Sequence, residues 1–313
     1  MRTPSAQYAS PMLARVKTAA ARTRDSATNP AVLMAFRWLL VARNLSAARE
    51  RPREALAYLL HSREVTNLTY ELENIAELTG AVSEGLGVGE ESVRGWVAEL
   101  EGDVGLRADL ESKLRARSNR DNEPRFGKRF ATYAAIRASC PRVVIETGTH
   151  DGLGTRVIAR ALERNAAEGS SGQVHTFDIN PGSGWLIDPA PGLISRHVGD
   201  VRELLPAVAA ADGVNFFIQD SLKTYEHERW EFETARRHAN GDLILYTDDA
   251  SATDALPELS QRWGARYRSF HERPAGHFWP GNEVGIAVLG ADKPALPQVP
   301  LRSGNQISSP HED

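Results

Sequence analysis

The segment Val143 to Leu162, VVIETGTHDGLGTRVIARAL, constrains the fold more than any other part of the chain. Apolar and β-branched residues run to an acid, Glu146. Gly148, Gly152 and Gly154 then crowd one short turn, and Val157, Ile158, Ala161 and Leu162 recur at helical spacing. This reads as strand, tight loop and helix, the opening unit of a doubly wound α/β sheet. Glycines let the backbone turn sharply and approach a ligand closely, and the helix N-terminus then points at that ligand. The order E-x-G-x-x-x-G-x-G differs from the G-x-G-x-x-G of dinucleotide folds.

From Arg142 onward strands and helices alternate as an α/β sheet demands. Strands are predicted at Val143–Glu146, Gln173–Asp178, Ile194–Asp200, Val214–Asp220 and Gly241–Asp249, with helices at Val201–Leu205, Tyr225–Ala239 and Pro257–Gly264. Arg266–His271 and Glu283–Leu289 read as a closing antiparallel pair. Upstream, residues 1–125 read as helical throughout, with no strand pattern. Asn29-Pro30 is a helix start, cap then proline. Apolar stripes follow over Glu54–Ser62, Asn67–Leu86 and Glu90–Leu100. The polar stretch Asn119–Arg129, with Pro124 and Gly127, marks the boundary, and its Lys128 and Arg129 read as solvated. The organisation expected is a helical accessory or oligomerisation region at 1–125, an α/β domain at 126–292 and a flexible, Pro- and Ser-rich tail at 293–313.

Composition excludes several classes. A net charge of −4 gives no global case for nucleic-acid binding. One cysteine, Cys140, allows no intrachain disulfide and no cysteine-rich metal site; it reads as a small buried residue. No secretory signal is evident, and the most apolar run, Ala31–Ala42, is too short to span a membrane and contains Arg37. A cytoplasmic protein without stable membrane insertion is expected. The first 24 residues hold five basic residues, Arg2, Arg15, Lys17, Arg22 and Arg24, and no acid, which reads as a frayed basic segment ahead of the alternatives, a nucleic-acid arm, a membrane-surface helix or a targeting peptide.

Ligands of such sheets bind outside the carboxyl ends of the strands, so the polar residue ending each strand is a candidate. Asp178 lies 32 residues after Glu146 and suits a ribose, because a carboxylate accepts two hydroxyl donors; capping the loop before Asn180-Pro181 is its other reading. Asp200 is a candidate site acid and equally an N-cap. Asp220, Asp248 and Asp249 end neighbouring strands. Three gathered carboxylates repel unless a cation sits among them, and oxygen ligands favour a hard ion such as Mg²⁺. Capping of the loop after the fifth strand is the alternative for Asp248 and Asp249.

Together these landmarks resemble the class I S-adenosylmethionine-dependent methyltransferases, Glu146 to Gly154 standing for their first motif. Asp220-Ser221-Leu222-Lys223 followed 28 residues later by Asp248-Asp249 looks like the metal-dependent small-molecule O-methyltransferases of catechol, caffeoyl-CoA and macrocin type. The resemblance covers about residues 130–290. It implies a Rossmann-like sheet with helices on both faces behind an N-terminal all-helical region. It also implies S-adenosylmethionine held by Glu146, Gly148, Thr149, Gly152, Gly154, Thr155, Asp178, Asp200 and Asp220, and a divalent metal, Mg²⁺ by expectation, on Asp220, Asp248 and Asp249. The metal would acidify an acceptor hydroxyl and Lys223, beside Asp220, would take its proton as base. A free lysine, at about 10.4, would need lowering by roughly three units, which costs about 4 kcal/mol. A related bacterial pattern, D-S-x-H-x-Y-E, has histidine where this chain has Lys223, which leaves the base open. His150 in the glycine loop borders the expected cofactor or is an ordinary loop residue.

Late in the chain, AGHFWPG (Ala275–Gly281) offers His277, Phe278 and Trp279. His277 and Trp279 either line the acceptor pocket or, with Phe278, plug the accessory helices onto the sheet. The expected reaction is metal-assisted O-methylation of a small hydroxylated molecule, a saccharide or glycosylated natural product before a simple catechol, by a homo-oligomer joined through the N-terminal helices. A metal-independent N- or O-methyltransferase and a non-catalytic cofactor-binding protein are the alternatives.

Overall fold

A computed structural model describes residues 29–61, 70–117 and 121–290. The basic N-terminal segment and the tail expected at 293–313 lie outside them. Three helices open the described chain: α1 (Pro30–Arg43), α2 (Leu45–Glu50) and α3 (Pro52–His61). The Asn29 side chain accepts the Ala31 N–H at 2.9 Å, the cap its sequence announces. After the two-residue strand β1 (Glu71–Leu72) come α4 (Ile75–Leu86), α5 (Glu90–Glu101) and α6 (Val104–Arg115). The α/β part then runs α7 (Arg129–Ser139), β2 (Val143–Thr147), α8 (Leu153–Ala167), β3 (Gln173–Asp178), β4 (Ile194–Val198), α9 (Val201–Asp212), β5 (Val214–Gln219), α10 (Tyr225–Arg237), β6 (Ala239–Thr247), α11 (Ala255–Trp263), β7 (Arg266–His271), β8 (Pro274–Ala275) and β9 (Glu283–Leu289).

Seven strands form one sheet in the order β4-β3-β2-β5-β6-β9-β7. β2 to β6 are parallel, while β9 runs antiparallel between β6 and β7. The chain moves outward from β2 to β3 and β4, then returns to lay β5 on the other side of β2. That reversal splays the loops after β2 and β5 and opens a crevice at their carboxyl ends.

The strands read as continuous apolar runs because both faces are covered. Val144, Phe216, Ile218, Ile244, Tyr246 and Ile286 pack on one side with α4 to α8. Val143, Ile145, Phe217, Leu243, Leu245 and Ala287 alternate to the other side, under α9, α10 and α11. Leu78, Val82, Val93, Leu100, Leu110 and Leu114 from the upstream helices belong to the first of these cores. Their stripes are therefore buried against the α/β part itself, with α4 lying across β7 and β9.

Three readings of the sequence change. The all-helical upstream region contains β1, which pairs antiparallel with β8, Glu71 opposite Ala275. The single stripe expected over Asn67–Leu86 resolves, from Tyr70 on, into β1 and α4. Cys140 is exposed, because it ends α7 in the left-handed region at φ 44°.

Candidate active site

The loop after β2 is built on backbone contacts that exclude side chains. Gly148 has φ 96°, and a Cβ there would stand 2.1 Å from the Asp220 carbonyl oxygen. The chains leaving β2 and β5 thus touch at the switch point, which only glycine permits. Gly148 and Thr149 N–H both donate to the Phe177 carbonyl, at 2.8 and 3.1 Å, tying the loop to β3.

Beneath the loop lies Glu146, 5% exposed. Its Oε2 accepts the Thr155 hydroxyl at 2.5 Å and the Thr176 hydroxyl at 2.7 Å. A Cβ on Gly154 would come within 2.6 Å of its Oε1, so α8 begins directly over the carboxyl group. Burial pushes Glu146 up to about 7 against the opposing pull of the two hydroxyls. Thr149 Oγ1 is 2.6 Å from Thr176 Oγ1, which joins the loop to the same buried network.

Asp178 takes up its loop-capping reading. Its Oδ2 accepts the N–H of His150, which sits at φ 51°, and its Oδ1 accepts the Asn180 N–H, each at 2.8 Å. Each oxygen retains a second lone pair, so loop capping leaves capacity for a diol. Asp200 caps α9, accepting the Arg202 N–H at 2.8 Å.

A dense charge cluster lies across the crevice at the ends of β5 and β6. Asp248 is 8% exposed. Its Oδ1 receives the Lys223 ammonium and its Oδ2 the Lys128 ammonium, both at 2.5 Å. Lys223 also donates to the Gln219 carbonyl at 3.0 Å and to Gln219 Oε1 at 2.7 Å, and stands 3.7 Å from Asp220 Oδ1. Its three N–H groups thus have three short acceptors. Burial alone would raise Asp248, but the two ammoniums outweigh it and hold the carboxyl well below the usual range. Burial would lower Lys223 and Lys128. The surrounding carboxylates reverse both, so each stays protonated: Asp248 and Asp220 for Lys223, with Glu272 added for Lys128.

Asp220 keeps 44% of its side chain open to the crevice. Desolvation on the side that faces the cluster, then the Asp248 charge, pushes its carboxyl well up from 3.8. The loop that carries it is anchored by the Ser221 hydroxyl, which donates to the fully buried Glu231 of α10 at 2.9 Å.

Residues 145–250 match a protein family described as a methyltransferase domain. That segment, from β2 to the loop after β6, carries the methyltransferase domain. Similar solved structures include a putative O-methyltransferase from Klebsiella pneumoniae (14% identity, 61% of this chain and 91% of that one, TM-score 0.46). Another is TomG of Streptomyces achromogenes, an O-methyltransferase involved in tomaymycin synthesis and solved with S-adenosylmethionine (14%, 60% and 91%, TM-score 0.43). A third is an O-methyltransferase of Bacillus cereus in complex with S-adenosylhomocysteine (12%, 68% and 97%, TM-score 0.39). No curated protein matches the sequence.

Within the methyltransferase domain, the acids expected to hold a metal are not arranged as a cation site. Both oxygens of Asp248 are taken by ammoniums, and Asp249 turns to its own loop, accepting the Ser251 hydroxyl at 2.7 Å. Among the described residues no three histidines, cysteines or acids are grouped to hold one ion. The arrangement does not fit a divalent metal, because its carboxylate charge is already neutralised by lysine. Lys223 departs from its expected role for the same reason: a lysine held between Asp248 and Asp220 is a fixed cation, not a neutral base.

Lys128, read as solvated, is instead half-buried at the start of α7, its ammonium on Asp248. Its only sequence signal is that one lysine cannot balance the acids that end β5 and β6. Gln219, fully buried, is likewise a site residue that the sequence does not single out. At the far end of the chain, Phe278 is fully buried among Val41, Ala48, Ala55, Tyr58 and Leu59. His277 stacks on Phe278 and meets Tyr58 edge-on, and burial lowers it to about 4. The aromatic plug is thus the role Phe278 and His277 take, fastening α1 to α3 onto the β8–β9 loop. Trp279 follows on the same loop, its N–H donating to His277 Nδ1 at 2.9 Å.

Proposed function

We propose that this crevice methylates a hydroxyl group of a small molecule, with Asp220 and Lys223 as its catalytic residues. The observation that carries the reading is the adjacency at Gly148. The glycine turn that would receive the cofactor touches the very residue, Asp220, whose carboxylate opens toward the acceptor side.

The residues fit S-adenosylmethionine by their chemistry. Gly148, Gly152 and Gly154, with Thr149 and Thr155 behind them, form a turn without side-chain bulk at the N-terminus of α8. Asp178 has lone pairs left for the ribose hydroxyls, and Asp200 lies at the end of the next strand for the adenine side. Bound S-adenosylmethionine supplies a methyl group whose transfer forms a C–O bond as the C–S bond breaks. Asp220, raised by burial and by Asp248, accepts the proton of the acceptor hydroxyl, since a base titrating nearer neutrality is the better match. Lys223 places a fixed positive charge beside the oxygen as that proton leaves, stabilising developing negative charge without reorganisation. Gln219 and Asp248 hold that ammonium in position. No step passes through a metal ion.

A saccharide or glycosylated acceptor is favoured over a bare catechol, because the helices upstream of the α/β part are extra structure from which a larger pocket could be built. Exposed Val32, Trp38, Leu39, Leu56 and Leu60 on α1 and α3 support self-association through these helices.

The test is calorimetric titration of S-adenosylhomocysteine into the full chain, followed by transfer of a labelled methyl group to a panel of phenols, catechols and glycosides. Binding is expected, with transfer giving an ether product and falling about 100-fold or more in Asp220→Asn. Folded protein that binds no S-adenosylhomocysteine would refute the reading. Methyl transfer to amines but to no hydroxyl would move it to N-methylation.

A further inference from the structure

Lys128 enters the charge cluster from outside the strand ends that build it. It belongs to the turn joining the upstream region to α7, 120 positions before Asp248 in the chain. Its side chain is 16% exposed and its ammonium reaches Asp248 Oδ2 at 2.5 Å and the Asp248 carbonyl at 3.4 Å. Asp220 and Glu272 also lie close enough to act on its charge. Glu272 is fully buried, and its Oε2 has no hydrogen-bond partner among the described residues. Asp248 thus holds this ammonium with two further carboxylates within electrostatic reach, while Lys223 takes the opposite oxygen of Asp248.

A divalent ion joining Asp248 would have to stand about 2.0–2.6 Å from a carboxylate oxygen. Each oxygen already accepts an ammonium at 2.5 Å, so an ion joining either would stand against a positive charge, and a lysine displaced here has little solvent to move into. The incoming charge would also stand a few ångströms from the lysine that stays. The repulsion between them is weakly screened at so small a separation inside the protein, and it is doubled for a dication.

We propose that Lys128 is the resident cation of this site: its ammonium holds the place a divalent ion would need, so that methyl transfer requires no added metal. Lys128 acts through Asp248, which it fixes as the anchor for Lys223, and is therefore a positioning residue. The inference rests on the methyltransferase reading for its link to turnover, but not for its link to metal.

The experiment is Mn²⁺ titration followed by electron paramagnetic resonance on the metal-stripped full chain, for the native protein, Lys128→Met and Lys128→Arg. S-adenosylhomocysteine calorimetry and labelled methyl transfer, with and without EDTA, are run alongside. The native protein is expected to show no stoichiometric Mn²⁺ site, and its turnover to be unchanged by EDTA. Lys128→Met frees the carboxylates and is expected to bind Mn²⁺ at least about 10-fold more tightly than the native chain. Its metal-free turnover should fall by about 10–100-fold, as when a group orienting a site residue is lost. Lys128→Arg keeps the charge; it should bind no Mn²⁺ and recover part of that loss.

A stoichiometric micromolar Mn²⁺ site in the native protein, or abolition of turnover by EDTA, would overturn the proposal. So would a folded Lys128→Met that neither gains Mn²⁺ nor loses turnover. The native titration decides even if the methionine variant fails to fold. Absence of S-adenosylhomocysteine binding would strike the methyltransferase reading while leaving the Mn²⁺ result to judge Lys128.

Discussion

Replacing Asp248 by asparagine should be among the most destabilising single changes in this protein. The two ammoniums that bracket the carboxylate are 16% and 22% exposed, so water screens them little. They would be left roughly 5 Å apart without a counter-charge, and at an effective dielectric of about 20 that repulsion is about 3 kcal/mol. Asparagine worsens the fit, since its oxygen can accept from one lysine but its amide must point N–H groups at the other. Breaking a buried pair by removing one partner typically costs about 3–5 kcal/mol, which agrees with this range. Urea unfolding at pH 7.5 and low salt, followed by tryptophan fluorescence, reads the loss directly. The pH dependence is a second signature. Asp248 is held below its unfolded value of about 3.9, so its contribution is fully present above that pH and is lost progressively as the pH falls from there toward the folded-state value. The gap between native and Asp248→Asn should therefore close on acidification below about pH 4. The double variant Lys128→Met/Asp248→Asn should lose less than Asp248→Asn alone, because one of the two stranded charges is gone. A loss under about 1 kcal/mol, the range of exposed pairs, would refute the buried-cluster argument.

Glu146 titrates in the folded protein at about 7 against 4.5 unfolded, so the folded state binds its proton more tightly and stability falls as pH rises between these values, by about 3 kcal/mol. Glu146→Gln should remove this slope, matching the native protein near pH 4.5 and exceeding it at pH 8 in denaturant midpoint. Gly148→Ala drives a Cβ into the Asp220 carbonyl and should cost more than about 3 kcal/mol and weaken S-adenosylhomocysteine binding. Gly169→Ala, at the same φ of 96° but with open space around its Cβ, should cost only about 1 kcal/mol. Phe278→Ala should lose about 3–5 kcal/mol of stability, with S-adenosylhomocysteine affinity changed less than twofold in calorimetry. Trp38, 58% exposed on α1, tests self-association: light scattering should show an oligomer that Trp38→Glu dissociates, whereas a native monomer would refute an interface there.

The glycine turn, the alternation of strand and helix, and the acids at the strand ends were all legible because each is a local pattern. Side-chain period and turn chemistry are imposed by the backbone of a few neighbouring residues, and the helix starting at Pro30 was readable for the same reason. Strand β1 was not, since two residues carry no periodicity and exist as a strand only through their pairing with β8. The helix Val104–Arg115 was only implied by a generally helical region, its apolar positions Leu106, Leu110 and Leu114 being sparse among charges.

By itself the sequence determined the α/β domain, its glycine turn and the identity of Asp220, Lys223 and Asp248 as neighbours at the strand ends. Only the tertiary structure decided what neutralises them. Carboxylates at adjacent strand ends demand positive charge, but the demand is Coulombic and indifferent to source. A divalent ion and a lysine from 120 positions away satisfy it equally well on paper. Packing of α7 against the sheet brings Lys128 to Asp248, and no local pattern in either segment records that meeting.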